Sequence, residues 1–154
     1  MGRTKITRTT IVRSGTYHDD RIWILAVILA CFALLFAIIG IVTPGWNGIN
    51  IIKNSQRHLS TIVLCFIAIF LIILGIIALV LFARRLITSF SSGIKMSAVI
   101  ILALAGIFIV IAYSCINPYR SNNYSYYLMT IAAIFTFIAS IVSAFWLGRN
   151  WITV

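Results

Sequence analysis

Ile41-Val42-Thr43-Pro44-Gly45-Trp46-Asn47-Gly48 ends the first of four long apolar runs, and its reading decides how the rest of the chain is understood. Pro44 has no N–H with which to continue a helix, and Gly45 and Gly48 permit tight turns. Trp46 is a side chain that prefers the boundary between hydrocarbon and headgroups. The stretch therefore predicts an exit from a membrane near residue 43. Residues 22–43 upstream contain no charged side chain. At about 1.5 Å per residue a helix of that length crosses a hydrocarbon core of roughly 30 Å. Three further runs repeat the pattern over residues 59–83, 95–114 and 126–147, none with an internal proline.

Composition requires the same solvent. The hydrophobic fraction is 62% and the mean hydropathy +1.13, against roughly 45–50% apolar residues in soluble domains. A chain of 154 residues cannot hide that much apolar surface in a water-soluble core. The predicted fold is an all-α membrane protein, a four-helix transmembrane bundle with short outer loops. Residues 1–21 form a basic tail, 22–148 the four-span domain and 149–154 a short second tail.

The net charge of +10 would suggest nucleic acid in a soluble protein. Here the cations lie between apolar runs, so the expected counter-surface is an anionic cytoplasmic leaflet and not nucleic acid. The lipid-facing candidates are Arg3, Lys5, Arg8 and Arg13 in the tail and Arg84 and Arg85 after the second run. Nine of the twelve Lys and Arg residues flank one side of the spans, and Lys53, Arg57 and Arg120 flank the other. An excess of basic flanks marks the cytoplasmic side. Both termini are therefore expected inside, with outer loops at about residues 44–58 and 115–125.

Those outer loops offer candidate contacts in Trp46, Lys53, Arg57, Tyr119, Arg120 and Tyr124. The Ile49-Asn50-Ile51 alternation suggests a strand, and the Tyr/Asn/Ser-rich second loop suits adaptable polar contact. Asn123-Tyr124-Ser125 matches a glycosylation sequon beside the fourth span. The terminal Ile152-Thr153-Val154 has the form of some PDZ ligands.

The span interiors contain no Asp, Glu, Lys, Arg or His. Intramembrane charges mark proton relays, ion paths and substrate sites, so pumps and intramembrane proteases are not expected. His18 and His58 fall on opposite predicted sides, and Cys31, Cys65 and Cys115 form no loop pair. No catalytic constellation, metal set or cofactor motif is expected.

Small residues are more informative. Ala26, Ala30, Ala33, Ala37 and Gly40 recur at intervals of four and three, the spacing of a left-handed helix seam. Ala132, Thr136, Ser140, Ala144 and Gly148 recur at every fourth position. Both rows are expected to mediate helix association, either facing inward in one bundle or, most plausibly for the fourth span, meeting another subunit.

Thr43-Pro44-Gly45-Trp46, leaving the first of four spans, resembles the claudin and epithelial-membrane-protein superfamily, in which a Pro-x-Trp often ends the first span. Gly48-Ile49-Asn50-Ile51-Ile52 is similar to the start of that family's first extracellular strand. The loop here is shorter than the family's and carries neither its Trp-Gly-Leu-Trp-like motif nor its paired cysteines. The clean spans, the small-residue seams, the short Tyr/Asn outer loops and the Pro44/Trp46 exit together lead to the expectation of a non-enzymatic tetraspan of the plasma membrane. It would act by lateral association with itself or other membrane proteins, as an organiser of a junction or membrane domain or as an auxiliary subunit. The competing expectation is a pore-forming subunit of an oligomeric channel lined by Thr and Ser.

Overall fold

The computed structural model describes residues 20–43, 52, 59–83, 92–115 and 124–151. They form four helices, α1 (Asp20–Val42), α2 (Leu59–Ala83), α3 (Ser92–Ser114) and α4 (Tyr124–Trp151). Each contains a stretch long and apolar enough to cross a membrane. Helices dominate because every backbone N–H and C=O in hydrocarbon must be paired within its own segment.

The boundaries extend beyond the apolar runs. α1 begins at Asp20 instead of residue 22, α3 at Ser92 instead of 95, and α4 covers 124–151 instead of 126–147. Arg149–Trp151, assigned to a tail on sequence, are thus helical. Hydropathy locates the hydrocarbon boundary, whereas helical hydrogen bonding continues into the headgroup layer.

α1 packs on α2 and α4, and α3 packs on the same two helices, so the four close into a ring. The α1–α4 interface is the most extensive. Neighbours run antiparallel. Gly40 near the end of α1 meets Ser125 and Met129 near the start of α4, while Gly75 of α2 meets Leu102 of α3. Two core clusters stack along the bundle, one around Ala37, Cys65, Ile109 and Met129, the other around Ala26, Leu79, Ala98 and Leu102.

One periodicity organises this interior. A continuous buried row runs through 26, 30, 33, 37 and 40 in α1 and 61, 65, 68, 72, 75 and 79 in α2, with 41, 106, 133, 140 and 147 buried beside the rows of their helices. The row is 98, 102, 105, 109 and 112 in α3, and 125, 129, 132, 136, 139, 143 and 146 in α4. Every row alternates steps of four and three, the 3.5-residue repeat of a left-handed bundle. Small residues line it on α1, and Ile72, Leu79, Leu102 and Ile109 fill the space from α2 and α3. The outward positions are large and apolar, as at Phe32, Leu35, Phe66, Phe70, Ile138 and Phe145. Lipid tails are as apolar as these side chains, so burying them offers little, and close backbone approach selects the small residues for the interior.

Gly75 is the tightest point. A Cβ there would lie 2.6 Å from Leu102 Cδ2 and 2.8 Å from its Cγ, and Leu102 is fully buried with little room to move. Gly148 has nothing within 4 Å of the same position. Gly75→Ala is expected to destabilise the bundle by about 1–3 kcal/mol through overpacking, read as a lower unfolding midpoint in detergent. Gly148→Ala is expected to leave the midpoint unchanged or slightly raised. Adding Leu102→Val to Gly75→Ala should recover part of the loss; a midpoint for Gly75→Ala equal to the parent's would contradict this packing.

Candidate functional site

Helix–helix contact is the chemistry this chain's residues offer, and it is set by the seams and the helix ends. Ala26, Ala30, Ala33 and Ala37 are at most 1% exposed, and Gly40 is buried with them. A Cβ at Gly40 would stand 3.0 Å from Met129 Cγ and Sδ and 3.5 Å from the Ser125 carbonyl oxygen. Glycine at this position lets α1 seat against the Met129 side chain and the Ser125 carbonyl of α4. The α1 row therefore faces the interior of its own bundle.

The α4 row behaves differently along its length. Ala132, Thr136 and Ser140 are buried, Ala144 is half-buried and Gly148 is exposed. Steps of four residues advance about 40° beyond a full turn, so four such steps rotate the row by about 160°. Its first three members face the core and its last faces outward. The continuous inward row on α4 runs instead through Ser125, Met129, Ala132, Thr136, Ala139 and Ser143. Its signal was the same alternation of four and three already visible in α1.

Three buried hydroxyl groups of α4 bond to main-chain carbonyls of the bundle. Thr136 Oγ1 donates to the Ala132 carbonyl at 2.7 Å and Ser143 Oγ to the Ala139 carbonyl at 2.7 Å. Ser140 Oγ reaches across to α3 and donates to the Val99 carbonyl at 3.1 Å. These bonds remove the cost of placing polar atoms in an apolar interior.

A second crossing bond closes the opposite end of α4. Thr43 Oγ1 donates to the Ile39 carbonyl at 2.7 Å, and the Thr43 N–H donates to the same oxygen at 3.0 Å. The Oγ atoms of Thr43 and Ser125 lie 3.0 Å apart. Thr43 has one hydroxyl proton, already committed to Ile39, so Ser125 is the donor to Thr43 Oγ1. Ser125 Oγ also lies 3.5 Å from the Thr43 carbonyl oxygen. Pro44, the next residue, has no N–H to extend the helical ladder. The clasp thus stands where α1 ends. It also engages Ser125, the hydroxyl residue of the Asn123 sequon, which is fully buried.

Aromatic rings flank the α1–α4 and α3–α4 contacts. Phe36 and Phe135 stack with centroids 5.8 Å apart, and Phe32 lies 6.2 Å from Phe135. Tyr113 meets Tyr126 edge-to-face at 5.0 Å at the Thr43 end, with Tyr127 6.1 Å further on. Such pairs contribute about 0.5–1.5 kcal/mol beyond their buried area. No periodicity in the sequence marks these rings, which meet only through the register of the packed helices.

Of the outer-loop candidates, Tyr124 opens α4 and is exposed. Trp46, Lys53, Arg57, Tyr119 and Arg120 lie outside the described residues, as do the suggested strand at 49–51 and the terminal 152–154. So do the lipid candidates Arg3, Lys5, Arg8, Arg13, Arg84 and Arg85. Cys31 and Cys115 are exposed and Cys65 is buried, all as free thiols. Among the described residues no group of three or more His, Cys, Asp or Glu could hold a metal ion.

Compared with known proteins, the chain matches no family model, no curated protein and no solved structure. The fold and the composition of its faces define a multi-pass membrane protein built on a four-helix bundle.

The clasp is directly testable. Thr43→Ala, Ser125→Ala and the double variant, unfolded in detergent, should show a coupling of about 0.6–1.7 kcal/mol, the range for hydrogen bonds between membrane helices. Additivity within about 0.3 kcal/mol would mean the two hydroxyls do not act on each other.

Proposed function

We propose that this chain is a non-enzymatic tetraspan that works by lateral association in the membrane, as an organiser of a junction or membrane domain or as an auxiliary subunit of a larger complex. The observation that carries the proposal is the division of its faces. Small and hydroxyl residues are turned inward, Thr136, Ser140 and Ser143 bond to carbonyls of the bundle, and the described outer faces between the helix ends are large and apolar. A surface of that kind meets lipid or the apolar flank of another membrane protein. The claudin-like reading of Pro44-Gly45-Trp46, a plasma-membrane setting and cytoplasmic termini belong to the same proposal, supported by the four spans and by the nine basic residues flanking one side.

The pore reading needs a polar lining. Thr136, Ser140 and Ser143 hold their protons on carbonyls of α4 and α3, and each is buried. A conduit between copies would therefore be walled mainly by Ile, Leu and Phe over the described spans. The test is reconstitution of the purified chain in planar bilayers. The expected result is no conductance above that of protein-free bilayers. Conductance whose ion selectivity changes on Arg57→Gln would overturn the proposal in favour of a channel.

A further inference from the structure

Beside the α1–α4 seam, Phe32, Phe36 and Phe135 form a ledge that spans both helices. Their centroids lie 6.5, 5.8 and 6.2 Å apart and their planes within 32° of one another. Phe32 is 47% exposed, and Phe36 and Phe135 are half-buried. On α1 the ledge belongs to a stripe through Phe32, Phe36, Ile39 and Thr43, and on α4 to one through Tyr124, Leu128, Ile131 and Phe135. Both alternate steps of four and three, so each keeps to one side of its helix. The Phe36–Phe135 pair at one level and the Thr43–Ser125 clasp at another hold the two stripes side by side. Together they grade from aromatic rings, through Ile39, Leu128 and Ile131, to the hydroxyls of Thr43 and Tyr124, all exposed or half-buried. The Thr43 N–H still bonds to the Ile39 carbonyl, so helical geometry carries the stripe to its polar end. From Phe32 to Thr43 the rise is about 16 Å, close to half of a hydrocarbon core of roughly 30 Å.

We propose that these paired stripes bind a lipid of the sterol class: a flat, rigid, polycyclic molecule with one terminal hydroxyl. Its rings lie against Phe32, Phe36 and Phe135, and its hydroxyl meets those of Thr43 and Tyr124. Depth, rigidity and polarity select this occupant. The graded surface is one leaflet deep, whereas a partner helix crosses both leaflets. Near-parallel rings offer dispersion over a broad area, and a rigid polycycle collects it without freezing rotatable bonds, which an acyl chain must do. The hydroxyls at the shallow end match a single polar group at the headgroup boundary. Exposure alone does not make such a surface. Phe66 and Phe70 of α2 are 56% and 61% exposed, yet among the described residues neither joins a ring pair. The site lies within one chain, so it goes beyond lateral association and does not depend on which partner the other faces meet.

Full-length protein in phosphatidylcholine liposomes, photolabelled with a diazirine analogue of cholesterol and mapped by mass spectrometry, tests it. Label should concentrate on residues 32–43 and 124–135, and excess cholesterol should suppress it where excess phosphatidylcholine does not. Phe32→Leu with Phe135→Leu should cut the labelling about two- to tenfold, the factor that lost aromatic contacts of this kind produce. Tyr124→Phe leaves the ring in place and should also lower it, through the lost hydrogen bond. Phe66→Leu with Phe70→Leu should leave it unchanged. Label spread evenly over the outer faces, or equal loss in the Phe66/Phe70 variant, would overturn the assignment. So would unchanged labelling in Tyr124→Phe, or equal labelling of the same residues by a phosphatidylcholine with a diazirine in its acyl chain. An inter-chain disulfide from Phe32→Cys, with Cys31, Cys65 and Cys115 replaced by serine, would give the ledge to a second copy and overturn it too.

Discussion

Backbone-close contact between α1 and α4 is the constraint on which the rest of the structure depends. In water a bundle is driven together by hiding large apolar side chains, but in lipid those side chains are already solvated. What remains is dispersion between surfaces that approach closely and hydrogen bonds that have no water to compete with them. The alanine row of α1 ending in Gly40 supplies the first, and the Thr43–Ser125 clasp supplies the second. Where α1 is small, α4 can come near. Where α2 and α3 face the centre, Ile72, Leu102 and Ile109 occupy the space that the alanines leave.

Much of this was legible in the sequence, and the limits have physical causes. The four spans follow from apolar length alone, since no soluble solution exists for so apolar a chain. The inward face of α1 was legible because its small residues alternate by four and three, the repeat that stays on one side of a supercoiled helix. On α4 the eye is drawn to the row at every fourth position, from Ala132 to Gly148. That row drifts around the helix and leaves the interior at Ala144. The true core row includes Met129, whose bulk conceals it in a search for small residues, and Ser125, which composition assigns to an interfacial loop or sequon. The clasp itself was out of reach, because it joins residues 82 positions apart and depends on the helical register of both spans.

Helix ends were the other weak point. Arg149, Asn150 and Trp151 are polar or interfacial by type, so hydropathy places them in a tail, yet α4 carries them. The same is true of Asp20 and Ser92 at the starts of α1 and α3. Arg149 thereby lies in the last turn of α4, at the same side of the bundle as Arg21. The described spans thus present an apolar girdle to their surroundings. That girdle follows from turning small and hydroxyl side chains inward.

The account rests most directly on α1 and α4 pairing within one chain, and a disulfide measures that. With Cys31, Cys65 and Cys115 replaced by serine, Thr43→Cys together with Ser125→Cys should place two thiols where the hydroxyl oxygens stand 3.0 Å apart, within reach of a disulfide of about 2.05 Å. Mild oxidation in native membranes is predicted to give an intramolecular bridge at monomer mass, seen as a shift in mobility that reducing agent reverses. Dimers as the sole product, or no bridge at all, would contradict an α1–α4 seam closed inside a single bundle.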